Sequence, residues 1–200
     1  MLSPEAYIEE LKQDLISDPM RISAYHDMPY AMFIYPPDAE CAYRKLIRLL
    51  AISLEQNYHR RVTFLSIGAL LWQAIEATEG LDALVAEELR RGFASVQTTV
   101  QALLVEPEFK PLVQSVKAVA DTLDPAKDIL FLVRAAALAP DFYRGSVLMD
   151  ELHANRVTVP VVLFYPGHRE GRTDVRFMGL TERAGTGIYN YRVRIYGGNE

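Results

Sequence analysis

Four histidines, one cysteine and a scattering of carboxylates are the side chains with which this chain could bind metal or move protons, and their spacing builds no such device. His26, His59, His153 and His168 lie far apart, with no two at the i, i+4 spacing that sets metal ligands on one helical face. Asp27 follows His26, but adjacent side chains point apart, so a surface pair is expected there rather than a proton relay. Ser146, in Gly145-Ser146-Val147, lacks the glycine-serine-glycine elbow that exposes a nucleophile, and helix capping accounts for it. Ser66-Ile67-Gly68-Ala69 offers one glycine where a phosphate-cradling loop needs several, followed by Lys and Ser or Thr. Gly185-Thr186-Gly187 lacks a third glycine and precedes a strand-like segment, which marks a hairpin turn. No catalytic residue, cofactor site or metal site is assigned on these grounds.

Arginines and tyrosines are the more informative residues. Arg134 directly follows an apolar strand-like run, where a cation is costly to bury unless it pairs with a carboxylate or points into a cleft. A structural ion pair, with Asp141 or Asp150, is weighed above a ligand contact. Tyr189, Tyr191 and Tyr196 stand with Arg192 and Arg194, a composition favoured at protein interfaces. Trp72 has the spacing of a core residue. The candidate interface residues are therefore Arg134, Tyr165, Tyr189, Tyr191, Arg192 and Arg194.

The elements that must position them follow from hydrophobic periodicity. Ser3-Pro4-Glu5 opens a helix over 4–17 with Ile8, Leu11 and Leu15 on one face. Tyr30 to Tyr35 is a continuous apolar run stopped by Pro36-Pro37, and reads as a buried strand. A helix from Asp38 to about Asn57 turns Leu46, Leu49, Leu50 and Leu54 inward and Arg44, Lys45 and Arg48 to water. Further strands are expected at 62–66, 128–133 and 157–165, the last before a turn at Pro166-Gly167. Helices are expected after Gly68, over 81–104 and 109–123 as an insert, and over 146–154. Val85, Leu89 and Phe93 fall among the insert's apolar positions. Segments 175–180 and 188–196 alternate with period two and predict an antiparallel ribbon at a sheet edge. The fold class is α/β, a mostly parallel central sheet flanked by helices, in one domain spanning 1–200.

Composition narrows the function classes. A formal charge of −5 and a pI near 5.5 argue against a free-standing nucleic-acid binder, so DNA contact is expected to be indirect or weak. Cys41 is the single cysteine, which rules out an intrachain disulfide and a cysteine-based zinc site and fits a reducing cytoplasm. No apolar run approaches the roughly 18 residues that cross a bilayer, and the acidic start is unlike an export signal, so neither membrane insertion nor export is expected.

Several of these runs carry a likeness. Ala31-Met32-Phe33-Ile34-Tyr35-Pro36-Pro37, Ile129-Leu130-Phe131-Leu132-Val133-Arg134-Ala135, Pro160-Val161-Val162-Leu163-Phe164-Tyr165-Pro166-Gly167, Arg176-Phe177-Met178-Gly179-Leu180 and Tyr191-Arg192-Val193-Arg194-Ile195-Tyr196 together resemble the BrxB family of bacteriophage exclusion (BREX) systems. The resemblance implies a cytoplasmic component of a phage-defence island. Its neighbours there include a DNA methyltransferase, the large ATPase BrxC, and PglZ, which has an alkaline-phosphatase-like domain. The family has no established enzymatic activity to carry over, and the expected role is a non-catalytic adaptor joining PglZ to BrxC or to the methyltransferase. A nucleotide-binding module, an enzyme, or a protein contacting nucleic acid through Arg169, Arg172, Arg176, Arg183, Arg192 and Arg194 are the competing readings.

Overall fold

Tyr30–Tyr35 forms strand β1, and all six of its side chains are buried. A strand buried on both faces needs helices on both sides of its sheet, and the chain supplies them. The computed structural model describes residues 3–22, 28–170, 174–179 and 193–198. Helix α1 (Pro4–Ile16) precedes β1, and Ser3 caps it by accepting a hydrogen bond from the Ala6 N–H at 3.3 Å. After a 3-10 turn at Pro37–Ala39 come α2 (Glu40–Tyr58), β2 (Arg61–Ser66), α3 (Ile67–Ala77), α4 (Leu81–Arg91), α5 (Phe93–Val105) and α6 (Leu112–Ala120). Then follow β3 (Asp128–Val133), α7 (Gly145–Ala154), β4 (Val161–Glu170), β5 (Asp174–Phe177) and β6 (Arg194–Gly197).

The strands lie in the order β2-β3-β4-β1-β6, each parallel to its neighbours, with β5 antiparallel against the far half of β4. This is the expected α/β architecture. From β1 the chain crosses to the β2 edge by way of α2 on one face. It then returns through β3 to β4 by way of α3 to α7 on the other, so opposite directions of travel use opposite faces, as right-handed crossovers demand. Met32, Ile34, Leu130, Leu132 and Leu163 pack under α3 to α7. Phe33, Phe131 and Phe164 meet α1 and α2 on the opposite face, with the Phe131 and Phe164 rings edge to face at 4.9 Å.

Several expected boundaries shift for identifiable reasons. The predicted 81–104 helix is two helices, because Gly92 adopts φ +83° and turns the chain between α4 and α5. Pro166-Gly167 is no turn: β4 runs through it, and a Cβ at Gly167 would lie 2.6 Å from the Arg176 carbonyl oxygen of β5, so only glycine admits that strand. Among the described residues the two C-terminal segments do not pair with each other. One is β5 on β4, and the other contributes β6, an edge strand parallel to β1. Period-two alternation is the same in either direction of pairing, so the pattern locates an edge strand without giving its partner. Trp72 is 52% exposed rather than in the core, and Leu49 also faces outward while Ile47 takes the inward position on α2.

One buried charge ties the β2 edge to the sheet. Asp128, at the start of β3, accepts both arms of the Arg61 guanidinium, at 2.5 and 2.7 Å, and the Asp124 N–H at 2.7 Å. Burial alone pushes its carboxyl up, but the Arg61 fork and the Asp124 N–H outweigh burial and hold it below the ordinary aspartate value. A folded pKa below the unfolded value of about 3.9 contributes stability above that pH, and the contribution is lost as pH falls through the folded pKa. Asp128→Asn is therefore expected to lower the thermal midpoint at neutral pH, with the gap to the native chain narrowing below about pH 4. Circular-dichroism melts across that range check it, and a gap that widened in acid would contradict the assignment.

Candidate functional site

Ligands of open parallel sheets sit beyond the carboxyl ends of the strands, where connections leave towards opposite faces. Here the chain leaves β1 towards α2 and leaves β3 towards the other helical layer, and a cavity of about 320 Å³ opens between them. It is lined by Tyr35 and Val133, the last residues of β1 and β3, by Phe164 from the first half of β4, and by Phe64 of β2. Because α2 begins just past β1, its residues Glu40, Arg44 and Arg48, spaced at i, i+4 and i+8, line the same cavity. Arg44 Nε donates to Glu40 Oε1 at 3.0 Å, and the Tyr35 hydroxyl donates to the other carboxylate oxygen. Burial raises the Tyr35 pKa and Glu40 raises it further, against the opposing charges of Arg44 and Arg134, so the phenol stays protonated well beyond its usual range.

Arg134 enters this cavity from the end of β3 with φ +64°, the left-handed region that a non-glycine residue adopts at a cost. The expected ion pair does not form: among the described residues Arg134 pairs with neither Asp141 nor Asp150, and the Asp141 carboxylate faces Arg144 at 3.7 Å. Tyr165, expected at an interface, is instead a core residue, 3% exposed and stacked on Phe177 at 4.6 Å. Gly145 makes room for it, since a Cβ there would lie 2.8 Å from the ring. Burial pushes the Tyr165 phenol well above its usual range.

Arg194 serves the fold. On β6 it pairs with the buried Asp14 of α1 at 2.7 Å, reaches Glu10 at 3.8 Å, donates to the Arg21 carbonyl at 2.9 Å and packs over the Tyr196 ring. The Tyr196 hydroxyl donates to the same Asp14 carboxylate at 2.8 Å, so α1 is clamped to the edge strand. Arg134 and Arg194 are separated by β4 and β1 and form no joint site. Tyr189, Tyr191 and Arg192 lie outside the described residues, as do His26, Asp27 and the Gly185-Thr186-Gly187 turn.

A second surface appears on the helical insert. In α4 only Leu84 is buried among the large apolar side chains, while Leu81, Val85 and Leu89, one turn apart, are 45%, 48% and 84% exposed. Phe93, at the start of α5, is half exposed as well. Periodicity set Val85, Leu89 and Phe93 in one helical repeat without assigning what covers them; the helix is held by Leu84 and by Glu87, whose carboxylate accepts from Ser95 at 2.6 Å and Thr99 at 2.9 Å on α5. Those hydroxyls hold the Glu87 carboxyl below its ordinary value. Among the described residues no helix is long and apolar enough to cross a membrane, and no three His, Cys, Asp or Glu side chains cluster as metal ligands.

The family model for the BREX protein BrxB matches residues 63–195. The chain belongs to this family. Membership makes it a component of a BREX phage-defence system, and the match takes in Phe64, the insert, Arg134 and β4. The β1 segment that also carries the resemblance lies before the matched range. No curated protein and no solved structure matches the chain.

Sequence reasoning on this BrxB-family chain turned Arg44 and Arg48 towards water, and Arg48 is exposed and the Arg44 side chain 41% exposed; what it missed is their shared place on the cavity. The signal was present: a helix that follows a parallel strand starts at the carboxyl edge, so basic residues in its first half overlook the ligand position. For the clamp, Tyr196→Phe removes a hydrogen bond to a buried carboxylate and is expected to cost about 1.5–3 kcal/mol. Urea titration measures this, and an unchanged midpoint would remove the clamp from the list of stabilising contacts.

Proposed function

We infer that the chain is a non-catalytic adaptor of its BREX complex, acting in the cytoplasm and joining PglZ to another component, the BrxC ATPase or the methyltransferase. The observation that carries this reading is the exposed row Leu81, Val85 and Leu89 on α4. Apolar surface left in water costs about 25 cal/mol per Å², and a row at helical spacing is the pattern by which a helix docks into a partner's groove. Asp82 and Glu88 flank the row, and Arg90 and Arg91 close the helix beyond it, so the apolar centre has charged residues of both signs around it. Glu87 and Leu84 hold α4 against the body, so the row is presented on a fixed helix.

Tagged protein is expected to retain PglZ, with or without BrxC, when purified at modest salt from cells carrying the whole defence island. A Val85→Glu, Leu89→Lys double variant is expected to lose that partner by about tenfold or more while melting within about 0.5 kcal/mol of the native chain, because both positions face solvent. Failure of the native chain to retain either protein defeats the adaptor reading; equal retention by the variant moves the contact off α4.

A further inference from the structure

We propose that the carboxyl-edge cavity is a binding site for a nucleoside monophosphate, its phosphate held by Arg44, Arg48 and Arg134 and its base against Phe64. The site is independent of the α4 surface and of the adaptor reading. Three guanidinium groups line the cavity against one carboxylate, a surplus of two positive charges. Glu40 is already engaged by Tyr35 and Arg44, and among the described residues neither Arg48 nor Arg134 has an ion-pair partner. The three arginines line one cavity with Phe64, Val133 and Phe164 while Arg48 and Arg134 stay exposed and the Arg44 side chain is 41% exposed, so an anion arriving from solvent can reach all three. A phosphate monoester, with about −1.5 to −2 charges near neutral pH and three acceptor oxygens, balances that surplus and suits the planar forks of arginine.

The rest of the cavity selects the remainder of the ligand. Phe64 is 43% exposed and is fixed from behind, with its ring edge to face on Phe131 at 5.6 Å, so it offers a rigid aromatic surface for a flat base. A volume of about 320 Å³ is near the lower end of small-molecule sites and suits one nucleotide rather than a dinucleotide. The left-handed backbone at Arg134 is a local cost of the kind found where a side chain must be aimed at a ligand. Phosphate is held here by side chains from α2 and the end of β3, which is why the single glycine of Ser66-Ile67-Gly68 is no obstacle.

Isothermal titration calorimetry of the full chain at low salt tests this with the four common ribonucleoside 5′-monophosphates, the matching nucleosides and inorganic phosphate. At least one monophosphate is expected to bind saturably, with its nucleoside and inorganic phosphate each about tenfold weaker or worse. Arg48→Gln, at an exposed position where the fold is expected to be retained, is expected to weaken the monophosphate by about tenfold, and Phe64→Leu to erase its advantage over inorganic phosphate. No saturable monophosphate binding overturns the site. So does affinity unmoved by Arg48→Gln, and inorganic phosphate binding as tightly as every nucleotide overturns the assignment of a base subsite.

Discussion

Burial of β1 and β4 on both faces is the constraint from which the remaining structure follows. Fully burying one large apolar side chain contributes about 1.5–3 kcal/mol, whereas an exposed ion pair such as Lys12 with Glu9, at 3.3 Å, contributes about 0–1 kcal/mol. The six buried positions of β1 therefore outweigh the surface pairs, and the fold must cover both sides of the strand. Two helical layers do so. Parallel pairing then forces each connection to travel the length of the sheet, which puts the start of α2 and the end of β3 at one edge and creates the arginine-lined cavity there.

Much of this was legible in the residues, and the exceptions have physical causes. Continuous apolar runs identified β1 and β3 at their observed bounds, because a strand buried on both faces leaves no polar alternation to confuse it with loop. Partners and direction were not legible: period-two alternation at 188–196 is satisfied by an antiparallel ribbon and by the observed parallel pairing of β6 with β1 alike. Helical periodicity reports which side chains share a face, not what covers it, so the repeat of Leu84, Val85 and Leu89 located the helix without telling the buried Leu84 from the exposed Val85 and Leu89. Tyr165 misled for the opposite reason. An aromatic beside a Pro-Gly pair suggests an exposed turn, but β4 continues, and the missing side chain of Gly145 opens a slot that takes the ring.

Net charge and local charge point in different directions in this molecule. The chain as a whole is acidic by five charges, which weakens long-range attraction to nucleic acid. Within roughly 8–10 Å, the screening length at moderate salt, what matters is the local set, and at the carboxyl edge that set is three arginines and one engaged glutamate. An acidic exterior with a basic cavity disfavours a long polyanion, which must lie across the surface, and favours a small anion that enters. Arg194 shows that a basic side chain on a sheet edge need not serve a ligand: Asp14, Glu10 and the Tyr196 ring account for its charge within the fold.

The two surfaces stand on opposite helical layers. α2, with Arg44 and Arg48, belongs to the core that includes Phe33, Phe131 and Phe164, whereas α4 is anchored through Leu84 in the core that includes Met32, Leu130 and Leu163. Between them lies a sheet whose central strands are closely packed on both faces, and such interiors yield little to small displacements. Energetic coupling across it would need an element with two arrangements that both surfaces bias, and α4 is tied to α5 by Glu87 rather than to any part of the cavity. Substitutions at the two places should therefore add rather than interact, as distant sites without shared partners generally do. The proposed partner surface lies on one layer and the proposed anion site on the other, so a local change that removes one proposed function leaves the second as its own control.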